Sequence, residues 1–171
     1  ALSIQFLELV YTKINVQNLE LLYRGSRDGF GAADFHSKCD NKPNTVTIIK
    51  TTKGYIFGGY TQVGWSNGGN GGCYINDSKA FLFSLVNRFK KPFISEVTDP
   101  SHAIFCRPDY GPIFGCNNIC ISNNSNTKNN YSDGLSCYKI PNDIKDHNGY
   151  FFSEGEHFQV TEIEVFQIEN F

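Results

Sequence analysis

Apolar residues follow two rhythms along the chain. Near the start, Val16, Leu19, Leu22 and Tyr23 recur at helical spacing. Asn15 can cap that run and Gly25 can stop it, so a short helix is expected over 16–23. Phe30, Ala33, Phe35 and Cys39 repeat the spacing ahead of the polar Asp40-Asn41 and predict a second short helix. From Thr45 the rhythm becomes that of strands. Residues 45–50 are β-branched, 52–54 read as a turn and 55–60 as the returning strand, so 45–60 is expected to form a β-hairpin. Gly58 and Gly59 inside it point to a bulge, or to close approach by a helix or a ring. The continuous apolar run 80–85 reads as a central strand, and 103–106 as another short one. Ile119-Cys120-Ile121 reads as a strand, 150–152 is short and apolar, and 160–168 is the clearest strand signal. The last does not alternate cleanly. Together these elements predict a mainly-β fold, a two-sheet antiparallel β-sandwich with a few short peripheral helices.

Length and composition narrow the class. No repeat or linker divides the 171 residues, so 1–171 reads as one domain. With 15 Phe and 9 Tyr the chain has apolar surface enough for a core and does not read as disordered. The longest basic stretch is Arg88-Phe89-Lys90-Lys91 and the net charge is −2, so no nucleic-acid partner is expected. No apolar run approaches the roughly 20 residues that span a bilayer, so no membrane insertion is expected. The opening Ala1-Leu2-Ser3-Ile4 lacks the basic and apolar regions of a targeting peptide and reads as a processed or trimmed start. Oligomeric state is left open.

Six cysteines, Cys39, Cys73, Cys106, Cys116, Cys120 and Cys137, form an even set compatible with three disulfides, and at least one is expected. The chain is also free of Met and rich in Asn, which favours an extracellular, secreted product over a cytoplasmic one. The three triplets 76–78, 123–125 and 130–132 match the glycosylation pattern, but a chain this rich in Asn produces such triplets by chance.

Catalytic constellations are scarce. His36 and Cys39 stand three apart on the second expected helix, but zinc needs three or four ligands and no further pair lies nearby, so no metal site is expected. His36, His102, His147 and His157 are candidate bases without a local nucleophile signature. The glycine-rich 64–69 lacks the ending that grips phosphates. Glu154 with Glu156, and Glu162 with Glu164, read as solvated strand faces rather than carboxylates across a cleft. The loop carrying Asn123, Asn124, Asn126, Asn129, Asn130 and Asp133 offers oxygens to Ca2+, with one charge among them and hence little affinity. No other cofactor is expected.

Surface recognition fits better. Trp65, with Asn67 and Asn70 in the same loop, offers an apolar face beside polar groups, as a sugar ring requires. Its other reading is a core plug beneath that loop. Tyr110, and Tyr131 with Asn126, Asn130 and Asp133, are further candidates in polar loops.

The run 21–30, Leu-Leu-Tyr-Arg-Gly-Ser-Arg-Asp-Gly-Phe, resembles the opening signature of TLDc domains. Phe35 to Asp40, Thr45 to Lys50, Gly54 to Tyr60, Trp65, Lys79 to Leu85, Tyr110 to Gly115 and Thr161 to Phe166 continue the resemblance in order, over about residues 20–168. It implies a two-sheet β-sandwich flanked by helices, no established catalytic residues, and proteins linked to oxidative-stress resistance and to binding the vacuolar proton pump. Asp28 and Gly29 match the pattern and read as structural, Asp28 accepting backbone N–H groups and Gly29 permitting a tight turn. Tyr110-Gly111-Pro112, the long Asn-rich segment, Cys116, Cys120 and Cys137 depart from the pump-associated branch and resemble invertebrate and protist members, some of them secreted. The expectation is a non-enzymatic, secreted, lectin-like domain that binds a carbohydrate or a protein surface. The alternative is an intracellular partner of the proton pump or a factor in oxidative-stress resistance.

Overall fold

The computed structural model describes residues 8–10, 12–14, 16–145 and 149–169. The cap expected at Asn15, the candidate base His147 and the opening four residues lie outside them. In chain order the strands are β1 (Asn18–Arg24), β2 (Thr45–Thr51), β3 (Ile56–Thr61), β4 (Cys73–Ile75), β5 (Phe81–Val86), β6 (Phe93–Glu96), β7 (Ile104–Cys106), β8 (Tyr110–Phe114), β9 (Ile119–Ser122), β10 (Asn130–Tyr131), β11 (His157–Phe158) and β12 (Val160–Glu169). Two short helices, α1 (Gly25–Asp28) and α2 (Ala32–Cys39), follow β1, and a 3-10 turn spans Pro100–His102. One six-stranded sheet has the order β1-β12-β2-β3-β5-β6 and the other β11-β10-β9-β8-β7-β4. All these pairings are antiparallel, so the architecture is the β-sandwich that the alternating and β-branched runs predict.

The main core lies between the sheets. Ile49, Phe57, Leu82, Ile163 and Val165 of the first meet Ile104, Phe114, Ile119 and Ile121 of the second. A second cluster covers the far face of the first sheet. There Val10 and Val16 of the N-terminal segment pack with Val46, Ile48, Tyr60, Phe81, Phe83 and Ile168. The first sheet is therefore buried on both sides, which is why its strands read as continuous apolar runs. The run at 81–85 is an interior strand of this sheet.

One expectation is corrected, and one open choice is decided. The segment 16–23 is not a helix, because 18–24 pairs with β12. A bulge between Leu21 and Tyr23 breaks the two-residue alternation and leaves both Leu22 and Tyr23 buried, which imitates helical spacing. The irregularity of β3 against β5 lies at Ile56/Phe57, not at the glycines. Gly58 and Gly59 are instead sites of close approach. A Cβ on Gly59 would come within 2.7 Å of the Phe114 ring. No disulfide is seen among the six cysteines, of which Cys39, Cys106, Cys120 and Cys137 are buried, Cys73 is half-buried and Cys116 is exposed.

The turn after β1 is built by Asp28. Its Oδ2 accepts the Arg24 backbone N–H at 2.9 Å, and the Arg27 guanidinium binds both carboxylate oxygens at 2.9 and 2.7 Å. Gly29 then takes φ +108°. Hydrogen bonds from the Arg27 side chain, then from the Arg24 amide, hold the Asp28 acid down at about 2 against an ordinary 3.8. A depressed carboxylate stabilises the fold above its unfolded value and stops doing so as the pH falls through its folded one. Asp28→Asn is thus expected to lower the melting temperature at pH 7, at a cost of about 1 kcal/mol. The gap to wild type will close between pH 3.8 and about 2. Melting curves at pH 7 and at the acid end check this, and a gap independent of pH refutes it.

Candidate functional site

The outer face of the second sheet is where exposed aromatics gather. Register pairs Tyr74 with Phe105, Phe105 with Ile113, Ile113 with Cys120, Cys120 with Tyr131, and Tyr131 with His157. Directly paired residues share a face, so these six side chains make one row across all six strands. Their strand neighbours Ile104, Phe114, Ile119 and Ile121 belong to the core, which places the row on the other face, with Tyr74 and His157 exposed, Phe105 and Tyr131 half-buried and Ile113 and Cys120 buried. The rings touch in groups. Tyr74 lies 4.6 Å from Phe105 and 4.4 Å from His102, and Tyr131 lies 5.0 Å from His157, centroid to centroid.

Above the middle of the row the chain turns from β7 to β8 through Arg107-Pro108-Asp109-Tyr110. Arg107 forms a two-pronged pair with the Asp109 carboxylate, both bonds at 2.8 Å. Those bonds hold the Asp109 acid below its ordinary range and raise the Arg107 guanidinium. The same guanidinium carbon stands 4.8 Å from the Tyr110 ring centroid, a cation–π distance. Beneath the turn, His36 of α2 fixes its backbone. The ring Nε2 lies 2.8 Å from the Arg107 carbonyl and 3.0 Å from the Tyr110 carbonyl, while Nδ1 lies 2.7 Å from Asp40 Oδ1.

Arg107, Tyr110, Phe105, Asn117, Tyr131 and Cys120 surround a pocket of about 230 Å3, with Ile113 in its lining. Small-molecule sites usually run from about 300 Å3 upwards. The pocket therefore has room for about one ring or one side chain. A second concavity of about 260 Å3 lies between Thr51, Tyr55, Phe158 and His157, where Lys53 pairs with Glu154.

The structure sorts the residues singled out from sequence. Tyr110 and Tyr131 come together around the pocket. Trp65 does not join them. It is 1% exposed, its Nε1 donates to Thr45 Oγ1 at 3.0 Å, and it packs edge-on against Phe35 and Phe114, so it is the core plug and not a platform. Asn130 is fully buried. Its amide donates to the Ser125 and Phe158 carbonyls and its Oδ1 accepts the Ser122 N–H, so it fastens the Asn-rich loop from within. Neither a ligand nor a glycan reaches it. Asn126 and Asp133 are exposed but outside the pocket lining, as are Asn67 and Asn70. The loop of Asn67 and Asn70 does border the site. A Cβ on its Gly72 would lie 2.6 Å from Arg107 Cγ and 2.7 Å from the Phe105 ring. Sequence reading misses Arg107, Phe105, Asn117 and Tyr74. The signal available was the alternation 104–106, which puts Phe105 opposite to Ile104 and Cys106.

Several of the remaining polar groups serve structural contacts. Ser101, His102 and Asp99 touch, but both the serine (3.0 Å) and the carboxylate (2.7 Å) meet the same ring atom, Nδ1. A relay needs them on opposite nitrogens. Here Asp99 caps the 3-10 turn. Glu162 accepts the Ser26 N–H at 3.0 Å and Glu164 accepts Arg24 Nε at 2.7 Å, so this pair ties β12 to the β1–α1 corner. Asn123 commits its Oδ1 to the Ala32 N–H at 2.8 Å, leaving the Asn-rich loop fewer oxygens for a cation. Among the described residues, no group of three or more His, Cys, Asp or Glu side chains is placed to hold a metal, and no helix is long and apolar enough to cross a membrane.

No curated protein matches the sequence. The sequence model of the TLDc domain matches residues 2–169, a span that begins earlier than the resemblance read from the motifs. With nearly the whole length matched and the two-sheet sandwich in place, the chain belongs to the TLDc domain family.

Proposed function

We propose that this domain works by recognition rather than catalysis, and that the outer face of its second sheet binds a carbohydrate. One observation carries the reading. Tyr110 and Tyr131, 21 residues apart in sequence, flank a single pocket of about 230 Å3 that also has Arg107 and Asn117 in its lining. Ring faces suit the C–H side of a sugar, and the polar groups suit its hydroxyls. The pocket would seat one residue, and the aromatic row would extend the contact to its neighbours.

A glycan array followed by titration of the best hit tests this. Tyr131→Ala is expected to weaken binding about tenfold or more, the size typical of an aromatic anchor. Asn126→Ala, on the exposed loop outside the lining, is expected to change affinity less than twofold. An array without hits removes the carbohydrate. A hit indifferent to Tyr131→Ala moves the site off this face.

A further inference from the structure

Two thiols, Cys116 in the β8–β9 turn and Cys137 in the loop that follows β10, meet beside the second sheet. Cys116 sits in the turn between β8 and β9, where Gly115 (φ 62°) and Asn117 (φ 65°) both take the left-handed conformation. Cys137 lies beside Tyr138, which bridges to Val97. The Asn118 side chain joins the two segments. Its Oδ1 accepts the Cys137 N–H at 3.3 Å, and its amide donates to the Asp133 carbonyl at 3.0 Å and to Ser136 Oγ at 3.2 Å. Further anchoring comes from the Cys137 carbonyl, which accepts the N–H groups of Thr98 and Asp99 at 2.9 and 3.2 Å. The two sulfurs are held 3.2 Å apart. The Tyr74 hydroxyl donates to the Cys116 sulfur at 3.5 Å.

We propose that Cys116 and Cys137 form a thiol–disulfide exchange site, in which exposed Cys116 attacks a low-molecular-weight disulfide and Cys137 resolves the adduct. The roles follow from access. Cys116 is exposed and Cys137 is 3% exposed, so an external disulfide meets Cys116 first. Burial also raises the Cys137 thiol, which disfavours it as the first nucleophile. In the first step the Cys116 thiolate bonds to one sulfur of the reagent, and the other sulfur leaves as a thiolate that takes up a proton. In the second, Cys137 gives up its proton to water beside exposed Ser136. Its sulfur then bonds to that of Cys116 and expels the second thiolate. Two protein thiols are oxidised to one disulfide, and one reagent disulfide is reduced to two thiols. Closing the bond asks each sulfur to give way only a little, since a disulfide is about 2.05 Å long. The site lies next to the recognition face, because Tyr74 both touches Cys116 and ends the aromatic row.

The test is incubation of the folded full chain with oxidised glutathione, followed by intact mass and non-reducing peptide mapping. The expected product has lost two hydrogens, keeps no glutathione, and maps to a Cys116–Cys137 bond that dithiothreitol reverses. Cys137→Ser is expected to retain a mixed disulfide on residue 116, with release slowed on the order of tenfold or more. Cys116→Ser is expected to take up none at this pair. The exposed position 116 tolerates serine, so this variant and the wild-type map decide the matter even if Cys137→Ser does not fold. A wild-type map with both thiols unbonded, or with bonds only elsewhere, such as Cys73–Cys106, overturns the proposal. So does a glutathione adduct that persists on wild-type Cys116.

Discussion

Replacing Trp65 by alanine will cost about 3–5 kcal/mol of folding stability, the usual range for deleting a large buried aromatic. The side chain joins three parts of the fold. Its ring lies 5.5 Å from Phe35 on α2 and 5.3 Å from Phe114 on β8, and its Nε1 donates to Thr45 on β2 at 3.0 Å. Truncation leaves a cavity between both sheets and the helix, and also strips the buried Thr45 hydroxyl of its donor. For a domain of this size each kcal/mol moves the melting temperature by roughly 2–4 °C, so a fall of roughly 6–20 °C is expected. Trp65→Phe keeps much of the volume and loses the N–H, so a fall of only about 1–2 kcal/mol is expected. A melting temperature for Trp65→Ala within about 2 °C of wild type would contradict the plug role. Because Trp65 is the sole tryptophan, its buried fluorescence also reports on folding, and a ligand on the outer face will leave it nearly unchanged.

The second large effect comes from a single methyl group. Gly58→Ala places a Cβ 1.9 Å from the Thr47 carbonyl oxygen of β2 and 2.9 Å from the Phe83 ring. The first obstacle is backbone, so it cannot rotate away. Relief requires β2 and β3 to separate in the middle of their ladder, where Gly58 pairs with Ile48. A loss of about 3 kcal/mol or more is expected, at the upper end of overpacking. Soluble yield will fall with it. Gly155→Ala is the matched control, with nothing within 4 Å of the added carbon. It is expected to stay within about 0.5 kcal/mol of wild type. Urea unfolding of the three proteins measures the difference, and equal midpoints for the two variants would show that the strands tolerate the methyl group.

Much of the sandwich is legible in the sequence because local preference and burial agree there. Residues 45–60 carry β-branched strands around a turn, and the hairpin forms. The 160–168 strand is recognisable by its residue types, and its imperfect alternation has a cause, a register shift against β2 between Val160 and Glu162. The segment 16–23 is misread for the same kind of reason. The bulge near Leu22 shifts the face by one residue, and a period that changes midway looks helical. What tips it into a strand is pairing with β12, which lies far along the chain and which no local window contains. The proposed recognition face is harder still. Its members come from β4, β7, β8, β9, β10 and β11, and only the register of those short strands aligns them. Tyr110 and Tyr131 stand out as aromatics among polar neighbours, whereas Phe105 and Ile113 look like ordinary core residues. Trp65 misleads because a glycine-rich surrounding suggests exposure, although here Gly64 and Gly68 let the loop pass closely by the backbone of Asn41 and Cys106.

The two sheets differ in how much of them is covered. The first is enclosed by the second sheet on one side and by the Val10 and Val16 segment on the other. The second presents its outer side to the surroundings through Tyr74, Tyr131 and His157. Mutational freedom is therefore unequally shared between the halves. Variation can accumulate on the outward side of one layer and alter the surface it offers, while the other layer keeps the chain folded.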